Sequence, residues 1–294
     1  MPITMDQLQL VEVDSFDELR YHAAHPVGYA AFDNVCVKQD IVFPETVSIR
    51  DVYEKVISAC DTTSTVKMDG GGTAPGLFYI HRSKITFVNI EFVNAVGSGV
   101  RLTSAFMVRF QHSAFRNCTA ARSPDGTLKA ENSGCLRMVN SVAQLTDVSF
   151  EDCAAPGGGA SSVGGGVWSV DSTLSINGAS FSRCSASKGG AVMLSNNPES
   201  DTYAPDAEVT LTSVSWHNNT ATYTHGDPGA DVYIDLVNAA SLECVPGCLN
   251  AGMRMRNGGC QYPVAASAAL HGGTVTSCAS TCASAVSDCT VCGR

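Results

Sequence analysis

Phe181-Ser-Arg-Cys184-Ser-Ala186-Ser-Lys-Gly189-Gly190-Ala191 is one unit of a repeat that decides the fold. Counted from its aromatic residue, the same frame recurs as Phe115-Arg-Asn-Cys118-Thr-Ala120, Phe150-Glu-Asp-Cys153-Ala-Ala155 and Trp216-His-Asn-Asn219-Thr-Ala221. Phe92-Val-Asn-Ala95 is a weaker fifth copy. Five residues before each aromatic stand Phe87, Phe110, Leu145, Ile176 and Leu211, and seven before stand Ile85, Val108, Ala143, Leu174 and Val209. Apolar residues two apart have strand periodicity. The aromatic anchors step by 23, 35, 31 and 35 residues, so loop length varies while the frame holds. Copies of this size cannot bury an apolar face alone and must stack. Two short strands, a corner and a third strand per copy describe the coil of an all-β, right-handed parallel β-helix. The Phe92, Phe115, Phe150, Phe181, Trp216 column is its expected core ladder.

Composition agrees. The 294 residues include 27 glycines, expected at corners where φ is positive, and only 16% charged residues against about 25% in ordinary globular proteins. The net charge is −10, from 28 acidic and 18 basic residues, with no cluster of basic residues, which argues against nucleic acid as a partner. No apolar run is long enough for a transmembrane helix. Met1-Pro-Ile-Thr-Met-Asp6 lacks the basic and apolar regions of an export signal. Thirteen cysteines, seven of them between Cys244 and Cys292, nevertheless point to an oxidising compartment. The expectation is therefore a segment of a longer secreted protein, extracellular or at a cell surface.

Three regions follow. Residues 1–30 are an N-terminal cap: Ser15 is a plausible N-cap, Asp17 and Glu18 suit the first turn of a short helix, and Phe16, Leu19 and Ala23 form its apolar side. Such a helix would cover the open end of the first coil. Residues 31–243 are the β-helix, in which 51–60 reads as an insertion with an ambiguous helical turn at Val52, Val56 and Ile57. From Gly76 on, rungs open with Gly and an apolar residue, at Gly99-Val100, Gly134-Cys135, Gly166-Val167 and Gly190-Ala191. Loops at 121–133 and 155–165 follow the same corner of successive rungs, so stacking brings them to one edge. Residues 244–294 are a cysteine-rich tail.

The alternation of Phe-x-x-Asn/Cys with Gly-Gly-Ala/Val, together with Phe16-Asp-Glu-Leu19, Asp69-Gly-Gly-Gly72, Leu77-Phe-Tyr-Ile80 and Ile85-Thr-Phe87, resembles the chlamydial polymorphic outer membrane proteins and their pectin-lyase-like β-helix relatives. The resemblance spans roughly residues 15 to 235. It implies a β-helical passenger displayed on a surface and associated with adhesion. The chain departs from that pattern where Cys118, Cys153 and Cys184 replace the usual Asn, and it carries no C-terminal barrel, so membrane anchoring is not implied.

Cys118, Cys153, Cys184 and Asn219 share one frame position and are expected as a column of small buried side chains, a redox or metal column being the alternative. Cys135, at a rung opening, should also point inward. Cys244, Cys248, Cys260, Cys278, Cys282, Cys289 and Cys292 are disulfide candidates in a tail too small for its own core, with zinc as the rival. Cys36 and Cys60 are possible mates. Asn117-Cys-Thr119 and Asn218-Asn-Thr220 are glycosylation sequons.

Cleavage of a glycan needs paired carboxylates, or carboxylates holding Ca²⁺ with a basic residue. The sequence offers only His112 and Asp147, which share a frame position three before Phe115 and Phe150. The chemistry reads as non-catalytic, with no cofactor and no metal: a structural or adhesive rod whose partner is a protein or glycan surface, or another copy of itself. The alternatives are a polysaccharide lyase or hydrolase, or a subunit of an appendage or virion.

Overall fold

The computed structural model describes residues 10–24, 34–120, 133–156, 162–195, 208–222, 232–235, 241–244, 268–271 and 274–278. The chain coils into a parallel β-helix, with every strand pairing parallel to its equivalents in the coils before and after. One coil shows the plan: Val100–Thr103 lies in an eight-stranded sheet, Met107–Gln111 in a ten-stranded sheet and Ala114–Arg116 in a seven-stranded sheet. We call these the second, first and third sheets. The frame seen in the sequence is the register itself. Ile85, Val108, Ala143, Leu174 and Val209 are successive partners in the first sheet, as are Phe87, Phe110, Leu145, Ile176 and Leu211.

In the third sheet Phe92, Phe115, Phe150, Phe181 and Trp216 follow one another in register. Their rings stack with centroids 4.7, 4.9, 4.6 and 4.9 Å apart, close to the strand spacing of about 4.8 Å. The four phenylalanines are fully buried. Each of the three inner rings therefore has a stacked neighbour above and below, and the core is a continuous cylinder rather than a set of local clusters.

The corners differ from expectation. Among the described residues glycine holds seven positive-φ positions, including Gly178 in the first-sheet corner column, but most members of the three corner columns are single non-glycine residues. Arg82, Ser104, Asn140 and Asp171 leave the second sheet, Asn89, His112, Asp147 and Ser213 leave the first, and Asn94, Asn117, Asp152, Arg183 and Asn218 leave the third, all with φ between 43° and 56°. Asn, Asp and Ser tolerate this conformation better than other side chains. Ten of these thirteen corner N–H groups are also bonded to the next coil, as in His112 N to Thr146 O at 3.0 Å and Asp147 N to Asn177 O at 2.9 Å. The glycines serve close approach instead. A Cβ on Gly134 would stand 1.8 Å from the carbonyl oxygen of Gly165, and one on Gly165 would stand 2.2 Å from that of Gly190.

Buried serines complete the corners. Ser83, Ser141 and Ser172 each donate to the carbonyl two residues earlier and accept a backbone N–H from the preceding coil, for example Ala105 N to Ser141 Oγ at 3.0 Å. They satisfy groups that water cannot reach.

The N-terminal helix runs Phe16–Ala24, with Leu19 and Ala23 buried. Glu18 reaches back to the N–H of Asp14 at 3.0 Å, and that bond holds its carboxyl below the usual carboxylate range. The ring of Phe16 meets Phe43, and Phe43 meets Phe78, which joins the cap to the core cylinder. Lys55, almost fully buried, donates to the His22 carbonyl in the last helical turn, where a cation is favoured. Stacking begins before this helix, because Leu10–Val13 pairs with Asn34–Val37. Residues 51–60 hold no helical turn: Lys55–Ala59 is a strand of the first sheet, and its Ile57 points inward beside Phe87. At the other end the sheets run past residue 243, through Ala268–His271 and Thr274–Cys278.

Candidate functional site

The ladder position after each aromatic has one job in three coils. Asn219 Nδ2 donates to Phe181 O at 3.2 Å, Cys118 Sγ approaches Phe92 O at 3.6 Å, and Cys184 Sγ approaches Phe150 O at 3.8 Å. Each bonds the carbonyl of the aromatic one coil earlier, so the thiols stand in for the amide. Burial pushes the Cys118 and Cys184 thiols up to about 12, which leaves them protonated and unreactive.

The column of three thiols expected from the sequence is interrupted at its centre. Cys153 is bonded to Cys135, with Cα atoms 5.6 Å apart, and this disulfide closes the start of one coil against its end. Glycines explain why it forms only there. Val100, Leu136 and Val167 are register partners, so the residues preceding them, Gly99, Cys135 and Gly166, align in adjacent coils. Only the middle coil offers a second sulfur. A Cβ on Gly99 would lie 3.2 Å from Cys118 Sγ. Cys36 and Cys60 form a second disulfide near the N-terminal end. Of the tail cysteines, Cys244 and Cys278 lie on strands where they are backbone register partners, while Cys248, Cys260, Cys282, Cys289 and Cys292 lie outside the described residues. No group of His, Cys, Asp and Glu among the described residues could hold a metal.

His112 and Asp147 do meet, as consecutive members of the corner column between the first and third sheets. Nδ1 and Oδ2 are 3.5 Å apart, with the side chains 60% and 58% exposed. The carboxylate leans over Gly178, where a Cβ would come within 2.3 Å of Oδ1. Ser113, Ser149 and Ser180 line the shallow concavity around the pair. The arrangement can share a proton on an open surface but does not desolvate it.

Charged residues that the frame did not single out form a chain along the third sheet. Glu91, 6% exposed, pairs with Arg116 at 2.7 Å, and Arg116 reaches Glu151 at 3.1 Å. Arg183 bonds Glu151 and, through Nε, Asp152 at 2.7 Å. The Arg183 hydrogen bonds hold the Asp152 carboxyl below its usual range. Alternating sign at the two positions after the aromatic, Arg116, then Glu151 and Asp152, then Arg183, was the available signal.

Asn94, Asn117 and Asp69 form an amide ladder beside it: Asn117 Nδ2 donates to Asn94 Oδ1 at 2.7 Å and Asn94 Nδ2 to Asp69 Oδ1 at 2.9 Å. Ala120, Ala155 and Ala186 stack as a small buried cluster at the next corner. Ala120 and Pro156, which precede the segments 121–132 and 157–161, both lie at this corner.

The outward face of the second sheet joins Arg50 over the Tyr79 ring at 5.3 Å and Arg137 over Trp168 at 5.1 Å. On the adjoining corner Phe106 is one residue more than the neighbouring coils carry. It is 49% exposed and stacks on Tyr53, 66% exposed, at 6.0 Å. No helix among the described residues is long and apolar enough to cross a membrane. No protein-family model matches the chain, and no curated protein and no solved structure matches it either.

Proposed function

We propose that the chain is a non-catalytic rod of an extracellular or cell-surface compartment, with a structural or adhesive role. The observation that carries this reading is the division of labour within each coil. Frame residues are committed to ring stacking, corner hydrogen bonds and the Cys135–Cys153 clamp, while segments whose length differs between coils begin at corners, after Ala120, Pro156 and Ser195. A rigid scaffold whose length variation falls at its corners suits presentation to a partner. Two disulfides, Cys36–Cys60 and Cys135–Cys153, support an oxidising compartment. The test is the intact mass of the protein from its natural source, with and without reduction and alkylation. Retention of both disulfides fits the proposal, and a fully reduced chain overturns the compartment.

One observation favours a second reading. The His112–Asp147 pair, beside three serines, supplies one carboxylate and one imidazole, an acid–base couple for proton transfer. These are not the paired carboxylates of a glycoside hydrolase, so a glycan-cleaving activity built on the pair would be of the proton-abstracting, lyase kind. Release of reducing ends from a panel of polysaccharides, abolished by Asp147→Asn, would establish that reading in place of the first.

A further inference from the structure

Two Asn-x-Thr sequons occur, and the fold brings both to one place. Asn117 and Asn218 occupy the same corner column, one residue past the third sheet, with φ of 50° and 53° and exposed side chains. The left-handed corner accounts for Asn but not for the residue two positions on. Among the corners of this column that residue is Val96 after Asn94, Ala154 after Asp152 and Ser185 after Arg183, whereas Thr119 and Thr220 follow the two sequon asparagines. The middle residue of each sequon, Cys118 or Asn219, turns into the core, so the acceptor amide is the one left outside.

The surroundings then separate the two. Asn117 Nδ2 is bonded to Asn94 Oδ1 within the amide ladder, and the Thr119 backbone bridges both neighbouring coils, to Val96 and to Ala154. Thr220 is exposed.

We propose that Asn218 is an acceptor for an N-linked oligosaccharide, and that it is used in preference to Asn117. The transfer joins Asn218 Nδ2 to the anomeric carbon of an oligosaccharide activated as its polyisoprenyl pyrophosphate. The sugar–phosphate bond breaks, the pyrophosphate leaves with the bonding electrons, and the amide nitrogen gives up one proton. The hydroxyl of Thr220 completes the recognition element. The glycan then stands on the column that borders the corner of Ala120 and Pro156, away from the core. This inference rests on the oxidising, secretory compartment proposed above.

The full chain, expressed behind a secretory leader in cultured eukaryotic cells, tests it. Intact mass is measured before and after enzymatic removal of N-glycans, and peptide maps locate both the acceptor and the Cys36–Cys60 and Cys135–Cys153 bonds. The parent and Asn117→Gln should carry the glycan. Asn218→Gln and Thr220→Ala should lose it, and Thr220→Ser should keep it. A secreted, disulfide-bonded chain with no glycan, or one modified at Asn117 as much as at Asn218, overturns the proposal and leaves the compartment reading standing. A fully reduced chain from the natural source overturns the compartment reading instead.

Discussion

Truncating Phe150 to alanine removes the central ring of the aromatic column. The ring is fully buried and stacks on Phe115 at 4.9 Å and on Phe181 at 4.6 Å, with planes within 4° of parallel. A Phe→Ala change in a core costs about 3–5 kcal/mol, the spread reflecting how far the site can collapse. Here collapse is opposed, because the flanking rings belong to strands whose backbone spacing is fixed by ladder hydrogen bonds. Two stacked pairs are also lost, each contributing about 0.5–1.5 kcal/mol beyond its area. The expected loss is therefore about 5 kcal/mol, the upper end of that range.

Urea denaturation followed by the fluorescence of Trp168 and of Trp216, the latter two coils along the same column, reads the effect. At a slope of about 2.5 kcal/mol per molar, the midpoint should fall by about 2 M. Phe106→Ala is the matched control. That ring is half exposed on a corner, and its removal should change stability by about 0.5 kcal/mol or less. A Phe150→Ala midpoint within about 0.4 M of the parent would refute the stacked-column reasoning, since it corresponds to about 1 kcal/mol at that slope.

Gly134→Ala should cost about 3 kcal/mol or more, read as a lowered melting temperature, because its Cβ would lie 1.8 Å from a backbone oxygen that cannot move without parting two coils. Gly99→Cys should form a second coil clamp with Cys118, seen by peptide mapping of the oxidised protein, since the new Cβ lies 3.2 Å from that sulfur. Cys118 and Cys184 should resist alkylation at pH 8 in the folded protein and label on denaturation. The folded thiols, at about 12, lie above their ordinary value of 9.0. Their stabilising contribution is thus complete below about pH 9 and is lost as pH rises toward 12. Alkaline denaturation in that window should be delayed by Cys184→Ser.

Much of the coil could be read from residue spacing, because a solenoid maps sequence offsets directly onto spatial columns. Aromatic and apolar positions at fixed offsets became register partners, and the offset shared by His112 and Asp147 became a contact. What escaped were features set by the offset between rung openings. Cys135 opens its rung one residue later than its Gly134, whereas Gly99 and Gly166 immediately precede the strand, so the alignment that sets Cys135 against Cys153 is invisible until the strands are in register. The corners escaped for a different reason. Glycine content suggested where φ turns positive, yet the bonds from most corner N–H groups to the next coil let Asn, Asp, Ser, His and Arg hold those positions. Glycine is then kept for places where a side chain would push coils apart. The Arg116, Glu151, Arg183 chain crosses three coils and has no local signature beyond alternating charge.

The distribution of polar groups also shows which faces of the coil are already satisfied internally. On the third sheet, Glu91, Arg116, Glu151, Asp152 and Arg183 satisfy one another, so a partner docking there would have to replace ion pairs already made. The ring column and the ladder position are internal and complete, down to the carbonyls that Cys118, Cys184 and Asn219 engage. A coil fixed on its inner face and on its third-sheet face can vary without loss of stability only at its corners. The chain varies there in length, after Ala120, Pro156 and Ser195, and by the extra Phe106 that carries an exposed ring onto Tyr53. Because neighbouring coils are stacked rather than merely linked, any such corner change is held in fixed geometry relative to the next, which is what a recognition edge requires and what a flexible linker cannot supply.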